Sequence, residues 1–582
     1  MSGLHMAVIG TLLYAGFFWL FSRSEKLLLR YTVKKWAALL TLPVLLGYGL
    51  LAGMNTPVFR AVIMSSVVII AICANRPKSP GTLLAFAAML ILVLNPLQLF
   101  TASFQLSFAA ITGILFLLPA LKKIVGNRIE SAPALSLSRK AINWLIAGLL
   151  VSLVANLATV PITLYFFNRF SLVGPLTNLI VEPLICLWSL GAGFLSIIFL
   201  AIQPEISSFL LQTGALGLGA AVHVAAFFSS WSFSTIWLPT PPPWLILIYY
   251  GALLAFMYSG WEKRRVWLPA CVTLTACLWL LIYPPRRNPA ENNKYFHITY
   301  LDIGQGSATL LEFPSGFRML IDGGGSSFAS TSIGERVIAP FLWTKGIRKI
   351  DAIAITHPDA DHYNGLEFII RHFSPKILWT RDIKGHDKNF KQLIHLAQQQ
   401  GLALSVPKMN DYLLAGKESL MCVTNLADQG NGAENKGSRD VGNSGLILKA
   451  CANKLCALFP GDIGRDREHF LVTQNYDLQA DVLLSPHHGS ITSNSSQFLT
   501  AVAPRYLFVS AGRSTKGNFP HKGLAEECND RQIDLFTTAD QGTLHVIATE
   551  SGYHIYGYRK KSANPLYSFT PVLLDENPLT PQ

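Results

Sequence analysis

The segment that decides the fold of the C-terminal half reads Thr356-His357-Pro358-Asp359-Ala360-Asp361-His362. It follows a short apolar run at residues 350–355 and precedes an amphipathic stretch, so it lies where a strand ends and a helix begins. Two His and two Asp within six residues are typical metal ligands, and their spacing lets alternate residues face two neighbouring metal positions. A polar turn with an Asp N-cap is the competing interpretation, but it explains neither histidine. The segment therefore predicts a metal site.

Three further polar segments follow strand-like runs. They are Asp322-Gly323-Gly324 after residues 319–321, Gly461-Asp462 after residues 455–459, and His487-His488-Gly489 after residues 482–485. Each segment by itself is ordinary turn chemistry. Because all four polar segments end strands that can converge on one edge of a sheet, together they predict a centre with two metal ions, in which Asp462 could bridge both.

The rest of this half alternates short strand-like runs with a few amphipathic helices. The predicted strands are 296–302, 308–313, 319–321, 350–355, 445–449, 455–459, 482–485 and 506–510, and the predicted helices are 333–344, 363–372 and 387–400. The Gly- and Asn-rich residues 429–440 are predicted to form a mobile loop. Cys451 and Cys456 flank a tight polar turn, where a disulfide and two free thiols are both open.

The N-terminal half is a series of apolar segments with few acidic residues. The chain has 582 residues, of which 51% are hydrophobic and 14% charged. No Asp precedes Asp302, and seventeen Lys and Arg stand against five Glu up to Tyr283, so this half carries +12 of the chain's +13. The basic excess therefore reflects membrane topology and not a nucleic-acid-binding surface. Ten spans are predicted near 5–21, 37–52, 57–73, 82–98, 104–121, 142–165, 172–201, 208–230, 244–259 and 266–283.

Lys and Arg concentrate in alternate loops, which sets the expected orientation. Basic clusters occur near residues 23–35, 76–78, 122–140 and 263–265, whereas the opposite loops hold almost nothing beyond Arg169. Basic loops stay in the cytoplasm, so after ten spans the chain emerges on the outer side. We expect a multi-pass protein of the inner (cytoplasmic) membrane with an extracytoplasmic C-terminal domain. An error of one helix would reverse this.

Several polar side chains fall inside the predicted spans. Those singled out as channel candidates are His5, Arg60, Gln105, Asn178 and Glu182. A hydrogen bond between helices would explain any one of them, but as a set they favour a polar pathway over a simple anchor with a few satisfied polar groups. The overlong span near Pro183 is predicted to be broken or re-entrant.

The metal-site motifs resemble those of the metallo-β-lactamase superfamily. The run Leu301-Asp302-Ile303-Gly304-Gln305-Gly306-Ser307-Ala308 narrows the resemblance to the ComEC family of DNA-uptake channel proteins. Segments of the N-terminal half resemble that family's competence domain, namely Ser2-Gly3-Leu4-His5, Pro57-Val58-Phe59-Arg60-Ala61, Ser103-Phe104-Gln105-Leu106-Ser107 and Asn178-Leu179-Ile180-Val181-Glu182-Pro183. The resemblance implies a multi-pass α-helical membrane domain at residues 1–283, a linker at 284–294, an α/β metallo-β-lactamase-like αββα sandwich at 295–560, and a tail at 561–582.

The resemblance also implies a role for each site residue. Six side chains would hold two divalent metal ions, with Asp462 as the bridge: His357, Asp359, Asp361, His362, Asp462 and His488. Asp322 would orient the ligands, and Asp361, Asp462 and His487 would take part in catalysis. Asp359 stands where the superfamily often has His, which hardens the site and favours manganese or magnesium over zinc, with manganese as the first expectation. Ser307 replaces the family's usual Asp, and the superfamily's further His is absent near Asn443.

The resemblance implies a DNA internalisation protein for natural transformation. The membrane half would form a channel for single-stranded DNA, and the C-terminal nuclease would degrade the other strand. Expected partners are DNA, membrane lipid, a DNA receptor, cytoplasmic DNA-handling proteins and further copies of the chain. The alternatives are a membrane-tethered metallo-hydrolase of phosphoryl head groups or envelope polymers, and a transporter with a non-catalytic module. Family members carry a further N-terminal part that this sequence lacks, and a wrong start, a split gene and a loss of function are all open explanations.

Overall fold

The computed structural model describes residues 3–75, 79–125, 137–259, 264–283, 294–325, 332–383, 387–425, 445–513, 519–558 and 572–578. The chain divides into two compact units, Met1–Pro285 and Arg286–Gln582. The loop predicted at residues 429–440, and Asn443 beyond it, lie outside the described residues.

The first unit is built from apolar helices. They are Gly3–Ser22, Glu25–Arg30, Val33–Leu51, Thr56–Cys73, Pro80–Leu94, Ala102–Thr112, Leu118–Val125, Leu137–Phe167, Gly174–Glu182, Leu190–Leu200, Pro204–Ser229, Pro243–Ser259 and Arg264–Ile282, with a 3-10 turn at Pro96–Phe100. By length and composition, seven helical segments of the described chain could cross a membrane, and the apolar helices Met6–Ser22, Pro80–Leu94 and Pro243–Tyr258 are shorter. These ten segments coincide with the ten predicted spans. That the three shorter ones also cross is still a prediction.

Two of the long segments contain a π-helical turn in place of a break. Gly113–Leu117 joins Ala102–Thr112 to Leu118–Val125, and Pro183–Ser189 joins Gly174–Glu182 to Leu190–Leu200. We expected the second segment to be broken or re-entrant, but it stays helical throughout. A π turn widens the helix locally. The helix therefore continues although Pro183 has no backbone N–H to donate.

A proline in another membrane helix is matched by two tyrosines. Pro161 lies inside Leu137–Phe167 and has no N–H to donate to the carbonyl of Leu157. The Tyr249 hydroxyl donates to that carbonyl at 2.7 Å, and Tyr250 donates to the carbonyl of Ala158 at 2.8 Å. Both tyrosines come from the helix Pro243–Ser259, so these bonds fix the two helices together at the proline.

The second unit contains two stacked sheets flanked by helices. In spatial order the nine-stranded sheet is Val572–Pro578, Gly552–Gly557, Leu544–Ala548, Phe296–Tyr300, Thr309–Glu312, Arg318–Ile321, Ala352–Ile355, Ile377–Thr380 and Ala403–Ser405. The seven-stranded sheet is Asp534–Thr537, Tyr506–Val509, Val482–Leu484, Leu455–Phe459, Leu446–Ala452, Ser419–Asn425 and Tyr412–Leu414. A small two-stranded sheet, Arg169–Ser171 with Thr235–Trp237, belongs to the first unit.

The core of the second unit lies between its two sheets. Aromatic side chains from both meet there, because alternate residues of each strand face inward: Phe296, Tyr300, Phe313, Phe459 and Phe508. Helices cover the outer faces, namely Ala339–Thr344, Ala360–Tyr363, Leu366–Phe373, Lys388–Gln399, Arg465–Thr473, Ser496–Val502, Lys522–Asp530 and Thr538–Gln541. The prediction of helical membrane segments followed by a metallo-β-lactamase-like αββα sandwich is confirmed.

Two details concern covalent and terminal structure. Cys451 lies opposite Cys456 in the strand pair Leu446–Ala452 with Leu455–Phe459, and a disulfide joins them. The strand Val572–Pro578 falls within the segment predicted to be a tail, and it pairs antiparallel with Gly552–Gly557. Part of that segment therefore extends the larger sheet.

Candidate metal centre

The four polar segments lie at the carboxyl ends of two neighbouring strand pairs. Arg318–Ile321 runs parallel to Ala352–Ile355 in one sheet, and Leu455–Phe459 runs parallel to Val482–Leu484 in the other. Parallel neighbours end on the same side, so each sheet delivers two polar turns to one edge of the sandwich. Distant parts of the sequence meet there.

Asp322 lies at the base of the centre and is 1% exposed. Its carboxylate accepts a hydrogen bond from Thr356 N at 2.8 Å and one from Thr356 Oγ1 at 2.8 Å. His362 Nδ1 lies 2.8 Å from the same carboxylate. A carboxylate that holds one ring nitrogen of His362 fixes the tautomer and leaves Nε2 to face the centre.

Three buried imidazoles present Nε2 atoms to one point. Their Nδ1 atoms contact Thr356 Oγ1, the Asp322 carboxylate and the carbonyl of Ser510, in the order His357, His362 and His488. Within the described residues, no hydrogen-bond partner meets any of the three Nε2 atoms. Three unsatisfied buried nitrogens in one place are costly unless something binds them.

Asp462 lies among these imidazoles. Its carboxylate oxygens are 3.7 Å from Nε2 of His357, 3.3 Å from Nε2 of His362 and 3.5 Å from Nε2 of His488. Two ligand groups result, one of His357, His362 and Asp462, and the other of Asp361, His362 and His488. Within each group the ligand atoms lie within 4.8 Å of one another.

The charges at the centre are strongly coupled. Burial by itself would lower the pKa of His362, but the carboxylates of Asp462 and Asp322 raise that pKa well above its ordinary value. For Asp462, burial acts to raise the pKa, yet the three neighbouring imidazoles hold it well below its ordinary value. His362 therefore keeps its proton to higher pH than an ordinary histidine, and Asp462 stays charged to lower pH than an ordinary aspartate.

The donor set fits divalent metal ions. Imidazole and carboxylate atoms converge, and each imidazole is held from behind through its second nitrogen. Among the described residues the front nitrogens face carboxylates but accept or donate no hydrogen bond. The same atoms that favour protons would accept a divalent cation in their place. The His/Asp groups of this structure could therefore hold metal.

Two of the residues singled out in the sequence lie at the margin of the centre. Asp359 Oδ2 is 3.5 Å from His357 Nε2, but its side chain is 44% exposed, and it belongs to neither compact ligand group. His487 also belongs to neither group, and its Nδ1 lies 3.1 Å from Thr492 Oγ1. The other five predicted ligands and Asp322 are brought together.

The supporting residues around the ligands include several that the motifs did not indicate. Thr356 contacts Asp322, His357 and His362 at once, and Ser510 supplies a carbonyl to His488. Serine or threonine at a strand end carries no metal signal by itself, so only the three-dimensional arrangement identifies them.

The Asp302–Ala308 run supports the ligand loop from outside. Gly306 has φ +112, and a Cβ there would lie 2.3 Å from the carbonyl oxygen of Asp361. The Ser307 amide donates to that same carbonyl at 3.2 Å. The motif therefore packs its backbone against Asp361, and only glycine permits that approach.

Comparison with known families now adds to this geometry. A family model described as "Competence protein" matches residues 1–263, and one described as "Metallo-beta-lactamase superfamily" matches residues 301–416. The first segment thus matches the competence protein family, and the second matches the metallo-β-lactamase superfamily.

Two relatives show how far the similarity extends. The chain is 26% identical over 557 residues to "ComE operon protein 3" of Bacillus subtilis (strain 168), covering 93% of this chain and 66% of the relative. It is 26% identical over 550 residues to "Competence protein ComA" of Neisseria gonorrhoeae, covering 93% of this chain and 69% of the relative. The chain thus spans about two thirds of the length of these relatives.

A solved structure of a CmlA beta-hydroxylase mutant also aligns with this chain. The alignment has a TM-score of 0.29 and 14% sequence identity, and it covers 54% of this chain and 64% of that one. A similarity at this level does not bear on the function of the chain.

Four of the predicted channel residues each contact a different neighbour. Gln105 Nε2 donates to the carbonyl of Leu99, Asn178 Nδ2 lies 3.4 Å from Ser152 Oγ, and Glu182 accepts from the Cys186 thiol. Arg60 is buried and contacts Ser107. The side chain of His5 lies outside the described residues. None of these contacts joins one of the described four to another.

Proposed function

We propose that this protein is an inner-membrane DNA internalisation protein whose C-terminal domain is a metal-dependent nuclease. The observation that carries the proposal is the set of three imidazole Nε2 atoms that face Asp462 without a hydrogen bond among the described residues. The N-terminal segment of the same chain also matches the competence family. The membrane half would conduct single-stranded DNA, and the C-terminal domain, placed outside the cytoplasm, would degrade the strand that is not transported.

The protein's own residues have distinct tasks in this proposal. His357, His362, His488, Asp361 and Asp462 would hold two divalent ions, with Asp359 reaching the first group from its margin. When bound, these ions supply Lewis acidity and an activated water for phosphodiester hydrolysis. Asp322 keeps the His362 ring in place. His487, held at Nδ1 by Thr492, is available at Nε2 to give a proton to the leaving oxygen or to stabilise the phosphate.

The metal we propose is manganese. Asp361 and Asp462 bring carboxylate oxygens to within 3.5 Å of His488 Nε2, and Asp359 adds a third carboxylate beside His357. Carboxylate oxygens harden a site and favour manganese or magnesium, whereas zinc favours imidazole and thiolate. Zinc and magnesium are therefore the comparison metals in the test below.

The channel and the partners belong to the same proposal. Its route would use the polar positions His5, Arg60, Gln105, Asn178 and Glu182, and its partners would be DNA, lipid, a DNA receptor, cytoplasmic DNA-handling proteins and further copies of the chain. Arg513 and Lys516 lie three positions apart in the sequence, and we propose them as a local basic patch for DNA. Arg513 Nε donates to the carbonyl of Ala539, and Lys516 lies outside the described residues.

The test is cleavage of single-stranded DNA by the purified full chain in detergent, with manganese, magnesium or zinc added after chelation. We expect cleavage with manganese, and we expect Asp462→Asn to reduce the rate by at least about a hundredfold, because it removes the charge between the two groups. The matched control is Asp530→Asn at an exposed helix end of the same domain, which should leave the rate unchanged.

The same preparation separates the alternatives. Hydrolysis of phosphocholine-type esters with intact DNA would support the head-group hydrolase in place of the nuclease. DNA uptake in cells that is untouched by Asp462→Asn would support a transporter with a non-catalytic module.

A further inference from the structure

A buried arginine in the membrane half has no counter-charge among the residues that the structure describes. Arg60 is 4% exposed, and its Nη2 donates to Ser107 Oγ at 3.0 Å. Within the same described ranges, its Nε and Nη1 atoms are buried without a hydrogen-bond partner. Since a guanidinium is always charged and carries five donors, this arrangement needs an anion with several acceptor atoms.

The arginine opens into an elongated groove of about 410 Å³ between four helices. The helix Thr56–Cys73 lines it with residues that recur at helical spacing from Pro57 to Ile72, which is one continuous face. The fifteen residue-to-residue steps from Pro57 to Ile72 correspond to about 22 Å of helix at 1.5 Å per step. Among the described residues, none that lines the groove is acidic.

Beyond Arg60 the walls of the groove are mostly apolar. Ile69, Ile72 and Leu45 contribute side chains, and two hydroxyls on the walls are already satisfied. Thr11 Oγ1 donates to the carbonyl of Ala7, and Thr41 Oγ1 donates to the carbonyl of Ala37. A long apolar face with one cation near its end matches an amphiphile and is a poor match for a strand of DNA, whose charge repeats along its length.

The depth of Arg60 fits this ligand. It is the fifth residue of the helix Thr56–Cys73, about 6 Å along the axis from the helix start. A helix of this length roughly matches the hydrocarbon thickness, so a long arginine side chain there lies near the level of lipid head groups. One acyl chain needs about 15 Å, half of that thickness, and the groove is longer.

We propose that this groove binds an anionic phospholipid, with the phosphate on Arg60 and one acyl chain along the Thr56–Cys73 helix. Arg60 and Ser107 join the helices Thr56–Cys73 and Ala102–Thr112 through the same head group. The inference does not depend on DNA uptake or nuclease activity. For Arg60, lipid binding replaces the channel role proposed above. The other polar positions of the proposed route are unaffected.

The experiment measures lipid retained by the purified full chain. The chain is incubated in detergent with phosphatidylglycerol, phosphatidylcholine or oligothymidylate, and bound species are counted by native mass spectrometry. We expect phosphatidylglycerol to be retained in preference to phosphatidylcholine. Arg60→Gln should weaken that retention about tenfold, since a charge-assisted contact is lost. Arg30→Gln, at an exposed arginine of the same unit, is the control and should change nothing.

A second variant guards against a folding defect. Val68 is 43% exposed and lines the groove, so Val68→Trp fills it from its open side while Arg60 stays intact. We expect Val68→Trp also to lower phosphatidylglycerol retention. Equal retention by wild type, Arg60→Gln and Val68→Trp would overturn the inference. So would Arg60-dependent retention of oligothymidylate in place of lipid, which would return Arg60 to the DNA route.

Discussion

At the residue scale, the position of His362 depends on a carboxylate that ligates nothing itself. Asp322 has φ +58 and is held in place by three hydrogen-bond contacts, to Thr356 twice and to His362 once. Asp322→Asn keeps the shape and removes the charge that fixes the imidazole. We expect it to weaken manganese binding and DNA cleavage by about 10–100-fold, the usual cost of losing such a partner.

The measurement for Asp322→Asn is a manganese titration followed by single-stranded DNA cleavage, with Asp530→Asn as the control. Loss of cleavage without a change in manganese affinity would contradict an orienting role. It would point to direct participation of Asp322 in the reaction.

A pair of histidines away from the metal centre predicts that the C-terminal domain is sensitive to acid. His545 Nε2 lies 3.0 Å from His297 Nδ1 across neighbouring strands. Burial, aided by Lys345, holds the pKa of His545 well below its ordinary value, and burial also lowers the pKa of His297. The folded domain thus binds fewer protons than the unfolded chain, so its stability is complete above the unfolded pKa of about 6.5 and falls as the pH drops below it.

We expect His545→Gln to flatten this dependence, so that melting of the C-terminal domain in the full chain changes less between about pH 7 and about pH 5. Limited proteolysis or thermal melting measures it. His395→Gln, at an exposed histidine of the same domain, is the control and should keep the wild-type pH profile. An unaltered profile in His545→Gln would show that another group controls acid stability.

What the sequence reveals about the site is limited by residue type. Histidine and aspartate at strand ends indicate metal binding, so the cluster from His357 to His362 and its distant members Asp462 and His488 could be predicted. Thr356 and the carbonyl of Ser510 could not, because a hydroxyl or a backbone oxygen is present almost everywhere and acquires a role only through its neighbours. The exposure of Asp359 and the contact of His487 with Thr492 are likewise set by backbone geometry that no motif specifies.

At the element scale, the tyrosine pair at Pro161 gives a direct test of helix packing. Tyr249→Phe would leave the carbonyl of Leu157 without its donor in an apolar surrounding. We expect a loss of about 1–2 kcal/mol of stability, in line with hydrogen bonds between membrane helices. Thermal melting of the detergent-purified chain measures it, and Tyr283→Phe at an exposed tyrosine is the control. Equal melting of the two variants would show that water or another group satisfies Leu157.

At the same scale, the strands could be predicted only in part. All eight predicted strands coincide with observed strands, because buried β-branched and aromatic runs between turn residues carry a clear signal. The prediction left out the short edge strands Ala403–Ser405 and Tyr412–Leu414. It also left out Ser419–Asn425 and Leu544–Ala548, which are longer and lie inside the sheets, so short length and edge position do not explain every omission. The π turns were also missed, since they depend on how a whole helix packs.

At the scale of the whole molecule, the redox state of the disulfide reports on which side of the membrane the C-terminal domain lies. Cys451 and Cys456 are joined across one strand pair. Such bonds persist outside the cytoplasm and are reduced within it. We expect the pair to resist alkylation in intact cells until a reductant is added, as judged by mass spectrometry of the peptide. Cys528, a buried free thiol, is the internal reference that should become alkylated on denaturation alone. Ready alkylation of Cys451 and Cys456 after denaturation without reductant would place the domain in the cytoplasm.

The pairing of Phe296–Tyr300 with Leu544–Ala548 has a consequence for biosynthesis. The strand Phe296–Tyr300 is synthesised first in the domain, and its partner Leu544–Ala548 is synthesised on the order of tens of seconds later. Until then the nascent chain exposes an unpaired edge beside a hydrophobic face, which is a template for aggregation. A chaperone that shields newly emerged β-strands of this domain should therefore raise the yield of this protein more than one acting on its helices.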